Sequence, residues 1–159
     1  MSPLFHSLIP VGAVAPDFRL LDQHGHSLGL ADATGPNGLI LLFFSSFWLP
    51  GDISLLESYI QAYPKLQEQG LGVMAISGIN WEPIHQLAKR LNSPFPMAFD
   101  PCCRVAKRYG NIAIPKFLNG RAIFGVAPQG QVILARKQAS PQEVLAGFSG
   151  YKPDYIPHP

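Results

Sequence analysis

Charge, cysteine and long apolar runs are all scarce in this chain. Charged residues make up 14% of its 159 residues, well below the roughly 25% of an average soluble domain. The two cysteines are neighbours, Cys102 and Cys103. A bridge between adjacent residues is strained, so a disulfide framework is excluded. The longest unbroken apolar run, Leu39 to Phe44, falls far short of the roughly 20 residues of a membrane-spanning helix. Heptads, internal repeats and low-complexity tracts are absent, which excludes a coiled coil. So are a Gly-x-Gly-x-x-Gly turn, a phosphate loop and a Ser-His-Asp pattern. No cofactor is implied, and neither nucleic acid nor a membrane span is expected.

What is present is a core. Apolar residues account for 47% of the chain, and the length suits one globular domain. The 16 prolines and 15 glycines keep its elements short. The domain is expected over 12–148, after an N-terminal extension at 1–11 and before a loose tail at 149–159. Met1 to Pro10 has no basic region and two prolines, so it does not read as a signal peptide; a cytoplasmic address is the expectation. Low charge with a positive mean hydropathy points to a covered surface, either by a second copy (a homodimer) or by a protein partner. Charge is also uneven. Residues 1–100 carry four basic and eight acidic side chains, whereas 101–142 carry seven basic ones and no acid. A one-signed stretch favours a partner with an acidic surface.

Periodicity predicts an α/β order. Phe18–Leu21 and Ser27–Leu30 flank a turn at Asp22–His26, a small hairpin. Gly38–Phe44 reads as a strand buried on both faces. A helix follows over Asp52–Glu68, kinked at Pro64, then a strand at Gly72–Ser77 and a helix at Glu82–Leu91. Phe95–Phe99 is a short strand. Asp100 then caps a helix over Pro101–Tyr109, which puts Cys102 and Cys103 in its first turn. Ala122–Ala127 and Gln131–Arg136 form a hairpin, and Ser140–Phe148 a last helix opened by a capping box, Ser140 with Glu143.

Certain residues on this order resemble a known family. They are Gly12-Ala-Val-Ala-Pro-Asp-Phe18, Asp22-Gln-His-Gly25, the strand into Pro50-Gly51, Phe95-Pro-Met-Ala-Phe-Asp100 leading to Tyr109-Gly110, and Arg121-Ala-Ile-Phe-Gly-Val-Ala-Pro-Gln-Gly130. Together they resemble the peroxiredoxins of the alkyl hydroperoxide reductase C / thiol-specific antioxidant family. The resemblance implies a thioredoxin-like fold: a central mixed sheet with helices on both faces and the peroxiredoxin-type N-terminal hairpin. It also implies an antioxidant oxidoreductase, whose peroxidatic cysteine lies in a Pro-x-x-x-Thr/Ser-x-x-Cys pattern and is held as a thiolate by helix-end amides and an arginine.

With Pro50-Gly51 as anchor, the pattern's Pro falls on Ser45, its Thr on Leu49 and its Cys on Asp52; the arginine is retained as Arg121. A Cys-x-x-Cys frame puts Leu49 and Asp52 at its two redox positions. Both frames lack the nucleophile. A carboxylate has no reversible two-electron oxidation like that of sulfur. Asp52 is therefore expected to be structural, a cap or first-turn acid paired with Arg121. The first reading is a non-peroxidase binding or regulatory module, a pseudoenzyme, docking through the apolar loop Phe47, Trp48, Leu49 and Pro50 and through basic residues such as Arg104 and Arg108. The second is a thiol oxidoreductase acting through Cys102 or Cys103, whose pKa a helical first turn and nearby cations would lower. Packing is the alternative for these cysteines. Their adjacency lacks the spacing of a zinc knuckle, so no metal site is expected. Acid/base work by Asp52 and Arg121 is a third reading. His24 and His26 read as solvated turn residues, and His85 as a packing histidine.

Overall fold

Leu39, Leu41 and Phe43 point to one side of a strand and Ile40, Leu42 and Phe44 to the other, and all six are wholly buried. A fully buried side chain of this kind contributes roughly 1.5–3 kcal/mol, so this strand must lie at the centre of a two-sided sheet. The computed structural model, which describes residues 7–45, 49–112 and 120–151, places it there. The strands are β1 (Arg19–Leu21), β2 (Ser27–Gly29), β3 (Gly38–Phe43), β4 (Leu71–Ser77), β5 (Met97–Phe99), β6 (Ala122–Val126) and β7 (Val132–Arg136). The helices are α1 (Leu30–Ala33), α2 (Pro50–Glu68), α3 (Trp81–Leu91), α4 (Arg104–Arg108) and α5 (Pro141–Gly150).

One seven-stranded sheet runs in the order β2-β1-β5-β4-β3-β6-β7. β3, β4 and β5 are parallel, joined through α2 and α3; β6 runs antiparallel to β3, and β7 antiparallel to β6. The β1–β2 hairpin extends the sheet antiparallel to β5 through Leu21 and Phe99. On one face, Leu55, Leu56, Tyr59 and Leu66 of α2 pack with Ile84, Leu87 and Ala88 of α3 and Val144 of α5. The other core gathers Phe18, Leu20, Cys103, Val105, Ala106 and Tyr109, with Leu30 and Ala33 of α1 against it. Helices thus cover both faces of a mixed sheet, as the sequence implied.

Ends of the expected elements agree within two residues, apart from the segment after β5. α2 starts earlier than expected because Pro50 fits the first helical position, where its missing N–H costs nothing. Pro64, the expected kink position, lies inside this helix, which runs on to Glu68. α1 was not anticipated, since four residues carry no period; Asp32 secures it by accepting the Gly29 amide at 2.8 Å. The single helix expected over Pro101–Tyr109 is not formed. A 3-10 turn occupies Pro101–Cys103, and α4 begins only at Arg104.

Candidate functional site

The parallel strands set the location. β3, β4 and β5 all end at one edge of the sheet, and β6 enters there, Ala122 lying opposite Phe43. This is the edge at which open α/β sheets carry their sites. Ser45 leaves β3, the first turn of α2 follows, and Arg121 arrives immediately before β6. Strand order thus brings Arg121 to the β3–α2 junction, far from it in sequence.

Leu49 is the N-cap of α2, its carbonyl accepting the amides of Asp52 at 3.1 Å and Ile53 at 3.2 Å. Asp52 lies in the first turn, where a carboxylate favours the positive end of the helix dipole. It is wholly buried. Arg121 Nε donates to Asp52 Oδ1 at 2.8 Å, and the Ser45 hydroxyl donates to Oδ2 at 2.8 Å. The expected pairing of Asp52 with Arg121 is therefore present, and the role of Ser45 is one the pattern of residues did not reveal. Gly51 was also missed. A Cβ there would run into the Arg121 guanidinium, so only glycine lets the arginine lie over the helix start.

Arg121 is 30% exposed and lines an open cavity of about 380 Å³ with Gly51, Ser54, Ser58, Ser140 and Glu143. Each Asp52 oxygen thus accepts from a side-chain donor, one from Arg121 and one from Ser45. Leu49, at 44% exposure, stands at the surface at the start of α2, beside the exposed Pro50. Phe47 and Trp48 lie outside the described residues.

Cys102 and Cys103 emerge at the same sheet edge, but not as expected. Neither occupies the first turn of a helix: both have left-handed backbone, at φ 57 and φ 55. The cause is Asp100. Its carboxylate reaches past the cysteines and accepts the amides of Val105 at 3.0 Å and Ala106 at 2.9 Å. These are the orphan donors of α4, so the helix-end amides expected to face the thiols belong to Asp100. Burial pushes the Asp100 carboxyl above its usual range, opposed by those amides and by Arg108. Cys102 is exposed, Cys103 is buried in the second core, and neither forms a disulfide.

Arg104 and Arg108 are exposed on α4, with Arg108 Nη1 donating to the Asp17 carbonyl at 2.9 Å. His85 is indeed a packing histidine: its Nδ1 lies 2.7 Å from the Gln23 carbonyl and its ring stacks on Trp81. His24 and His26 stand on the hairpin turn with rings 5.9 Å apart. Among the described residues no three His, Cys, Asp or Glu are grouped to hold a metal, and no helix is long and apolar enough to cross a membrane.

Residues 11–135 match the model of the AhpC/TSA family. The chain belongs to that family. It is 29% identical over 104 residues to peroxiredoxin bcp1 of Schizosaccharomyces pombe, covering 65% of this chain and 53% of that protein. Identity to the chloroplastic peroxiredoxin Q of Triticum aestivum is 28% over 133 residues, 84% of this chain and 57% of that one. The chain thus spans just over half the length of these two relatives. A thiol-disulfide oxidoreductase ResA from Bacillus thuringiensis subsp. konkukian is 27% identical over 140 residues, 87% of this chain and 76% of the other. Among solved structures, peroxidoxin BcpB from Mycobacterium tuberculosis superposes with a TM-score of 0.80 at 19% identity, covering 90% and 98% of the two chains. Enterococcus faecalis AhpC gives 0.77 at 18%, covering 87% and 90%. The likeness to these solved structures agrees with the mixed seven-stranded α/β fold.

Proposed function

We propose that this AhpC/TSA member is not a peroxidase but a binding or regulatory module, with Asp52 standing where the family carries its peroxidatic thiol. The observation that carries this is the buried Asp52 carboxylate, held by Arg121 at 2.8 Å and by Ser45. Helix-end placement and an arginine are what would stabilise a thiolate, and here they surround a group that peroxide does not oxidise reversibly. The exposed Leu49 and Pro50, beside this pair, are offered as part of the docking surface, with Arg104 and Arg108 as its cationic flank toward an acidic partner. The partner is a second copy of the chain or a different protein.

Sedimentation of the wild type and of Leu49→Asp, with affinity capture by the same two forms, tests the docking surface. Self-association or a retained protein that is lost in Leu49→Asp supports it; identical behaviour of the two forms removes Leu49 from any interface.

A second reading rests on Cys102. Its thiol is exposed at the site's edge of the sheet, and one of the chain's relatives is named a thiol-disulfide oxidoreductase. In this reading the chain exchanges disulfides through Cys102 or Cys103, independently of Asp52.

A further inference from the structure

Cys102, at φ 57 and ψ 19, and Cys103, at φ 55 and ψ 34, are consecutive L-residues in left-handed backbone. A side chain in that region crowds the following carbonyl, and such conformations persist only where the surroundings over-determine them. Asp100 supplies the constraint. Its amide donates to the Ser77 carbonyl at 2.8 Å, its carbonyl accepts the Cys103 amide at 3.1 Å, and its carboxylate takes the amides of Val105 and Ala106. One buried residue thereby grips the chain on both sides of the two cysteines. The result is an asymmetric pair, with Cys102 in solvent and Cys103, 2% exposed, packed in the second core with Val105 and Ala106.

We infer that Asp100 is the positioning residue of a two-step thiol–disulfide site, in which Cys102 reacts first and Cys103 is held in reserve. This rests on the second reading above. In the first step the Cys102 thiolate attacks one sulfur of a small-molecule disulfide. A bond forms from Cys102 to that sulfur, the original disulfide bond breaks, and one small thiolate leaves and takes a proton from water. In the second step Cys103 gives its proton to water and attacks the Cys102 sulfur; the second small thiol leaves and a bridge between the neighbours forms. The pair loses two electrons and the disulfide gains them. While Asp100 holds the turn, Cys103 stays in the core and the reaction stops at the mixed disulfide. A bridge between neighbours is strained and easily reduced, a property of reversible rather than structural bonds. Arg104 and Lys107, exposed beside the turn, favour an anionic disulfide such as oxidised glutathione.

The test treats the full chain with oxidised glutathione and reads intact mass and the modified peptide. The wild type should gain one glutathione on Cys102, and Cys102→Ser none. In Asp100→Ala the adduct should give way, at least tenfold faster, to a chain two hydrogens lighter than the reduced form. Asp100→Asn keeps one acceptor oxygen and should fall between them; it carries the comparison where Asp100→Ala does not fold. An adduct on Cys103, or exchange at Cys102 with the same products and rate in the folded Asp100 variants, overturns the positioning role alone. Absence of any exchange in every form overturns the thiol–disulfide reading and this site with it.

Discussion

Arg121 Nε and Asp52 Oδ1 meet at 2.8 Å although 69 positions separate them in the chain. Sheet topology makes the meeting: β6 runs antiparallel to β3, so the residue before β6 arrives where the chain leaves β3 for α2. The pair is lopsided, with a carboxylate fully out of water and a guanidinium partly in it. Removing the arginine would strand a buried charge, whereas removing the acid leaves a cation that water can reach.

Arg121→Met should therefore destabilise the fold more than Asp52→Asn. Losing one partner of a buried pair costs about 3–5 kcal/mol. Discounting for the exposed side of Arg121 leaves about 2–3 kcal/mol for Asp52→Asn. Thermal melts should show both drops, in that order. Equal melting temperatures for the two variants and the wild type would show the pair to be energetically idle.

Asp52→Cys should place a thiol against the same arginine and helix start. Its pKa should fall below the ordinary value of about 8.5, measured by the pH dependence of alkylation. Adding Gly51→Ala should push Arg121 aside and raise that pKa again, because the new Cβ takes the space of the guanidinium. A thiol that titrates near the ordinary value in Asp52→Cys alone contradicts the preserved surroundings.

The Ser140 amide and hydroxyl, and then Arg136, hold the Glu143 carboxyl below its ordinary 4.5. A depressed acid adds stability above its unfolded value and loses it as pH falls through its folded one. Amide protection in α5 should thus be flat from pH 8 to 5 and decline below pH 4.5. Ser140→Ala should cost about 1 kcal/mol and weaken that decline; protection that declines already near neutrality would contradict the capping box as the cause.

Tyr59 and Tyr109 donate to the carbonyls of Ala139 at 2.8 Å and Pro16 at 2.7 Å, and burial pushes both phenols well above the ordinary 10.0. A raised acid gives stability in full below its unfolded value and loses it as pH rises beyond. Tyrosinate absorbance from these two of the five tyrosines should appear only together with unfolding in alkali. Tyr59→Phe should cost about 1 kcal/mol. Ionisation of all five near pH 10 in a folded chain would contradict the burial.

Much of this was legible beforehand. The unbroken run Leu39–Phe44 reads as a strand buried on both faces, and the capping box at Ser140 marks the start of α5 to within a residue. Pairing of Asp52 with Arg121 followed from the family resemblance and from a carboxylate's need of a partner. What failed was local. Asp100 followed by proline is a common helix opening, so the sequence predicts a first helical turn at Cys102 and Cys103. The deciding fact is tertiary: burial of Cys103 beneath the sheet and the reach of Asp100 to Val105 and Ala106, which no spacing in the sequence announces. Ser45 was missed because the family pattern places a proline there, and Gly51 because the crowding comes from Arg121, a residue far along the chain.

Peroxide consumption decides whether the Asp52–Arg121 site of this AhpC/TSA member lacks peroxidase chemistry, as proposed. Hydrogen peroxide loss should be followed with a dithiol reductant present, for the wild type, Asp52→Cys and Asp52→Cys/Arg121→Met. No consumption above the reductant background is expected for the wild type, measurable consumption for Asp52→Cys, and its loss when Arg121 is also replaced. Turnover of peroxide by the wild type, with Asp52→Cys adding nothing to it, would show that Asp52 does not stand in for a lost thiol.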